Sequence, residues 1–413
     1  MLPSAAELVA GYLRTNGYNE TLEKFIDEAG LEKGSGSSNV ISVEDLLREK
    51  QAFDLSLKFE KLGTHATQAT WRKPAPSVPT VLGAVPTKAN IISAFMLNLK
   101  LPGSSTPRKC IAATTADRRL NLIDPLAPMY PLIRSYVHFI DSPLLDLVAI
   151  NQRFLLAGTM SGKVILYDTA ADEVASERKD HTKYVVKLAA WKMPDCILVA
   201  SAGWDAKVNI YRLQLDAHDN LRLGEPLITS TLPTIPETII FIERAGSSSP
   251  VLLVTRRDST CLFYYDVPIS NSSANEMTLL GRQNLVPHSN AWIVFSPSDV
   301  QISPADPSIA AIATSSTPHM KLLVVRLLVP PNQQAGTGMM AVENDAGPPP
   351  TQAAQARAEL RLQDREEAAI LVSINTMAPQ TAYSTPKLAW RPDGSGIYVT
   401  ADDGVSRFRG KHW

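Results

Sequence analysis

Two apolar periods divide the chain. From Ala5 to Leu31 the apolar residues recur at Leu8, Val9, Tyr12 and Leu13, then at Leu22, Phe25 and Ile26, the i, i+3, i+4 spacing of one helical face used twice. This predicts two short helices joined through Thr15 to Asn19, where Gly17 can close the first in a left-handed conformation and Asn19 can cap the second. Helices of two or three turns are unstable alone in water, so their apolar face needs cover from this chain or from a second copy. A Gly/Ser run from Gly34 to Ser38 follows. Residues 42–62 then read as an accessory helix that starts at Ser42, with Asp45 at its third position. Its apolar residues, Leu46, Leu47, Phe53, Leu57 and Leu62, are too irregular for a coiled coil. Such a helix either extends a dimer or lies on the rest of the chain. Residues 63–87 carry Pro74, Pro76, Pro79 and Pro86 and read as an extended connection.

Beyond residue 88 the recurring unit is an apolar strand, a tight turn that often carries Asp, and a second strand ending in an aromatic or apolar residue. Three copies are clear, Cys110 to Asp124, Leu155 to Asp168 and Leu198 to Arg212, with turn positions Asp117, Ser161 and Asp205 spaced 44 residues apart. Weaker copies run from Leu252 to Tyr265 around Asp258, from Ile309 to Arg326, and from Gly396 to Arg409 around Asp402. In the fifth, His319 stands where the turn Asp is expected. Taking out a polar insertion over residues 330–368 restores the 44-residue interval between His319 and Asp402. Within that insertion, Gln352 to Ala369 has helical composition but few large apolar residues, which predicts an exposed loop with helical tendency and a candidate partner-binding element.

These features carry a family resemblance. Leu8, Tyr12-Leu13, Gly17-Tyr18, Thr21, Phe25, Glu28 and Leu31 resemble the LisH motif over residues 1–33, and the repeats over 88–413 resemble a divergent WD-repeat protein. The resemblance implies a mainly β protein: a WD-repeat β-propeller behind an N-terminal α-helical LisH hairpin. It has six recognisable blades, with room for an incomplete seventh. It also implies a homodimer formed as a four-helix bundle, with Leu8, Tyr12, Leu13, Tyr18, Leu22, Phe25 and Leu31 at the interface. A hairpin docked on its own propeller is the alternative. The sixth repeat ends before an outer strand, so either the Pro-containing stretch donates a closing strand or the chain is a shortened product; an open ring would expose two sheet edges.

The most enzyme-like residues, His181, Ser201 and Asp205, occupy with Tyr211 the places where WD blades hold a structural hydrogen-bond network. Satisfying such buried groups avoids about 1–3 kcal/mol each. A hydrolase reading lacks the Gly-x-Ser-x-Gly elbow. The Gly34-Ser35-Gly36-Ser37 run lacks the Gly-Lys-Ser/Thr of a phosphate loop, and the seven histidines show no metal-ligand spacing, so no cofactor or metal is expected.

Composition narrows this further. Lys and Arg number 40 against 41 Asp and Glu, which gives no field favouring nucleic acid or an anionic membrane; Arg118-Arg119 and Arg256-Arg257 read as solvated rim charge. Cys110, Cys196 and Cys261 lie far apart in apolar runs and read as reduced thiols of a cytoplasmic or nuclear protein. No run reaches the length of a membrane span. The expected function is a non-enzymatic scaffold that dimerises through LisH and binds other proteins on its propeller faces or the 330–368 insertion. A ubiquitin ligase or corepressor assembly fits best, with a microtubule-motor regulator as the alternative.

Overall fold

The computed structural model describes residues 5–32, 34, 43, 85–216, 220–247, 249–267, 276–288, 294–331, 361–403 and 407–410. The chain divides into two compact units with a boundary after Thr70. In the first, helix α1 (Ala5–Thr15) and helix α2 (Asn19–Ala29) form the expected hairpin. Gly17 has φ +77° in the connection, and Gly30, at φ +63°, ends α2 with its N–H on the Ile26 carbonyl. Asn19 does not cap α2: it is the first helical residue, and Tyr18 precedes it with no side-chain cap bond. The accessory helix expected over 42–62 lies outside the described residues except for helical Val43, and so does the 63–87 connection before residue 85.

The second unit is a β-propeller. Five antiparallel sheets of four strands span residues 91–136, 144–178, 185–231, 236–284 and 297–379, and a sixth sheet of three strands spans 388–410. Each of the six repeat signatures supplies the second and third strands of one sheet. The expectation of six blades with a seventh in part is corrected: the described residues build five complete blades, and the sixth signature forms a sheet without a fourth strand. The insertion falls between the third and fourth strands of the fifth blade. Its residues 361–368 are helical and largely exposed, but Glu366 is buried, its Oε1 accepting the Asn284 N–H at 2.7 Å.

The second strands read as unbroken apolar runs because both of their faces are buried. In Phe154–Thr159, Leu155 and Ala157 pack toward the first blade while Phe154 and Leu156 pack toward the third. In Ile197–Gly203, Ile197 and Val199 face the second blade while Leu198, Ala200 and Ala202 face the fourth. Five apolar cores are arranged this way, one between each pair of consecutive sheets. Of the three free cysteines, Cys110 and Cys196 are buried and Cys261 is half-buried; burial pushes the Cys110 thiol up to about 11.

Leu198→Ala, in the core between the third and fourth blades, is expected to cost about 2–5 kcal/mol. Leu126→Ala, at a residue 80% exposed on a loop, should stay within about 0.5 kcal/mol. Urea midpoints of the two variants check the contrast.

Candidate interaction surfaces

The hairpin consumes part of its apolar face internally. Ala10, Leu22 and Ile26 are buried, with Leu13, Phe25 and Leu31 packed against them. Of the residues expected at a dimer interface, Leu22 is therefore used within the hairpin, Leu8 is half-buried, and Tyr12 and Tyr18 are exposed. Val9, which was not singled out for the interface, is exposed beside them.

On the propeller, the turn between second and third strands is tied to the loop that enters the inner strand of the same blade. In the first blade Asp117 accepts from Thr87 Oγ1 at 2.8 Å and from Thr115 Oγ1 at 2.5 Å. The Thr115 hydroxyl, followed by the Thr87 hydroxyl and the Arg119 guanidinium, holds the Asp117 carboxyl below the usual range. The sixth sheet repeats the pattern with Ser384 donating to Asp402. The second blade reverses it, Ser161 Oγ donating to Asp141 Oδ1 of the entering loop at 3.3 Å. In the fourth, Asp258 sits in the turn at φ +60°, and the tie is made next to it by Thr234 Oγ1 on the Arg257 carbonyl at 2.7 Å. In the fifth, the Ser296 N–H donates to Ser315 Oγ at 2.8 Å; His319 begins the third strand and is not in the turn.

The third blade has the largest set. His181 is buried, its Nδ1 3.0 Å from Asp205 Oδ1 and its Nε2 2.8 Å from Ser201 Oγ and 3.1 Å from Asn209 Nδ2. The Asp205 carboxylate beside Nδ1 is an acceptor and the Asn209 amide nitrogen beside Nε2 a donor, which orients the ring with Nδ1–H on Asp205. Asp205 also accepts the Thr182 and Lys207 N–H groups at 2.9 and 3.2 Å. Burial pulls its carboxyl up, but His181 and the two backbone donors outweigh this and hold it below the usual carboxylate range. Tyr211 joins through Asp180, donating to Oδ2 at 3.0 Å, and Arg178 grips the same carboxylate at 2.7 and 2.9 Å. The sequence reading missed Asp180, Arg178 and Asn209; the signal for Asp180 is its place immediately before His181. Gly203 completes the pattern, since a Cβ there would lie 2.4 Å from His181 Nδ1 and 2.5 Å from Asp205 Oδ1.

Above this network Trp204 and Tyr184 expose 38% and 37% of their surface with ring centroids 5.2 Å apart. The Arg257 guanidinium of the fourth blade lies 5.5 Å from the Trp204 ring and donates to Glu237 Oε1 at 2.6 Å. Arg257 is thus fixed across a seam between blades as part of an aromatic and cationic patch, a composition enriched in binding hot spots. Among the described residues no cluster of His, Cys, Asp or Glu could hold a metal ion, and no helix is long and apolar enough to cross a membrane.

Gly203→Ala is expected to destabilise the chain by about 1–3 kcal/mol through the His181–Asp205 bond. Because the folded Asp205 carboxyl is depressed, its contribution is full above about pH 4, the unfolded value, and fades as pH falls through the folded value. Asp205→Asn should lower stability at neutral pH and flatten its decline below that point, read from melting curves across an acid series.

A search of curated proteins found no match. Among solved structures the chain is similar to Saccharomyces cerevisiae Sqt1, at 12% identity and TM-score 0.47 over 78% of this chain and 75% of that one. It is also similar to the Dos1 propeller, at 13% identity and TM-score 0.45 over 78% and 69%. The LisH domain of UCP007778 matches residues 6–32, and its beta-propeller domain matches residues 142–407. With more than half of its length covered, the chain belongs to the UCP007778 family of LisH-containing β-propeller proteins.

Proposed function

We propose that this protein is a non-enzymatic scaffold that dimerises through its LisH hairpin and binds partner proteins on its WD-type propeller, within a multisubunit assembly of the ubiquitin ligase or corepressor kind. The observation that carries this reading is the fate of the polar chemistry. Ser201 and His181 are 0% and 1% exposed, and each His181 nitrogen is engaged inside the blade, so no substrate can reach a nucleophile there. What faces solvent instead is surface suited to association: Val9, Tyr12 and Tyr18 on the hairpin, and Tyr184, Trp204 and Arg257 on the turn side of the propeller. The three free cysteines suit a reducing compartment, the cytoplasm or nucleus.

A hairpin of two eleven-residue helices with three buried residues gains stability by covering its remaining apolar face with a second copy. Size-exclusion chromatography with light scattering on the full chain is expected to return a dimer, and Tyr12→Asp a monomer with an unchanged melting curve for the propeller. A monomer for the unmutated chain at micromolar concentration overturns the dimer. Trp204→Ala is expected to lose proteins that co-purify from cells with the unmutated chain while leaving the dimer intact.

A further inference from the structure

One position recurs near the start of the inner strand of every sheet. Ser93, Asp146, Lys187, Thr238 and Asp299 each stand just past a bulge near the start of their inner strands. In the sixth sheet Lys387 immediately precedes the inner strand Leu388–Trp390 and bonds to Thr400, its N–H on Thr400 Oγ1 at 3.0 Å. Read around the propeller, the six side chains run hydroxyl, acid, base, hydroxyl, acid, base. Their bonding repeats with the same period. Ser93 Oγ donates to the Leu145 carbonyl at 3.1 Å and Thr238 Oγ1 to the Ser298 carbonyl at 3.4 Å, each just before the next sheet's Asp. Asp146 accepts the Leu188 N–H at 2.7 Å and Asp299 the Leu388 N–H at 2.9 Å, each just after the next sheet's Lys.

The repetition fails at one pair. Lys187 Nζ lies 3.5 Å from Asp299 Oδ1, whereas Lys387, the counterpart of Lys187, has no carboxylate within ion-pair distance among the described residues. Lys387 instead borders a cavity of about 520 Å³ together with Asp146, Lys187, Asp299 and residues Ile91 to Leu97 of the inner strand of the first sheet. That strand is unusually open for its place: Ile91 and Met96 are 52% and 54% exposed. Lys387 itself is exposed and borders the cavity. The cavity therefore offers an unpaired ammonium beside an apolar lane.

We propose that this cavity is a binding site for an acidic segment of a partner protein, one carboxylate flanked by aliphatic side chains, with the carboxylate on Lys387 and the aliphatic groups along Met96 and Ile91. This names a partner chemistry for the propeller and rests on its reading as the partner-binding unit. Charge and shape support it together. The surrounding protein and the neighbouring Lys187 charge push the Lys387 ammonium toward its neutral form against Asp299, Asp146 and Glu237, and an incoming carboxylate acts in the opposite direction. A purely apolar ligand would cover that ammonium without a partner, and a cationic one would meet Lys387 as the exposed charge of the cavity, since Asp146 and Asp299 are buried.

The test uses purified full-length chain and three fluorescein-labelled pentapeptides, Gly-Ile-Glu-Ile-Gly and its Gln and Lys counterparts, followed by fluorescence anisotropy. The Glu probe is expected to bind about tenfold tighter than the Gln probe, a difference of about 1.4 kcal/mol, and the Lys probe weakest. Lys387→Met should bring the Glu probe down to the Gln level without moving the Gln probe. Met96→Glu should weaken both, and a melting curve checks that each variant is folded. Equal affinity for all three probes, no binding at millimolar protein, or a folded Lys387→Met chain that still prefers Glu overturns the site. A scaffold that keeps every cellular partner in the Lys387→Met form while the probes fail overturns the site alone; loss of the dimer and of all partners overturns the scaffold reading itself.

Discussion

Two-sided burial of the second strands is the constraint on which the propeller depends. A strand such as Phe154–Thr159 has no solvent face, so its odd and even residues must serve two different cores, and the sheet is held only while both neighbours are present. Apolar packing of this kind is strong but does not fix orientation. The ties between entering loop and turn supply that, since each links a blade's first strand to its middle pair on one side of the propeller. The side chains most reminiscent of catalysis thus sit at the end of a packing problem, satisfying polar groups that the cores cannot.

This division explains what could be read from the chain. The hairpin was legible because a 3.6-residue period is local and Gly17 marks its break. The middle strands were legible because doubly buried strands are continuous apolar runs, and their turns because Asp117, Asp205, Asp258 and Asp402 recur at one place. Outer strands such as Glu173–Arg178 and Ile228–Thr231 are short and partly exposed and carry little periodic signal. The blade count failed for that reason: a repeat signature reports the middle pair of strands, not the completed sheet.

The network in the third blade was half legible. His181, Ser201 and Asp205, grouped by the resemblance to WD blades, are hydrogen-bonded to one another, but Tyr211 reaches Asp180, which Arg178 also grips, a link set by how the entering loop folds back. Arg257 read as solvated rim charge because nothing local places it over Trp204, which lies in another blade. The inner-strand ring was invisible for a stronger reason. Ser93, Asp146, Lys187, Thr238, Asp299 and Lys387 share no neighbourhood in the chain and become equivalent only once the bulges set their register.

The ion pair between Lys187 and Asp299 joins the third sheet to the fifth, which share no core. Propellers are built by repetition, and a chain of like units could tolerate gaining or losing one. Here the lysine of the third sheet and the aspartate of the fifth meet directly, with Thr238 of the fourth sheet at the position between them in the order of sheets. Units interchangeable by shape are thus distinguishable by the charge each carries at this one position.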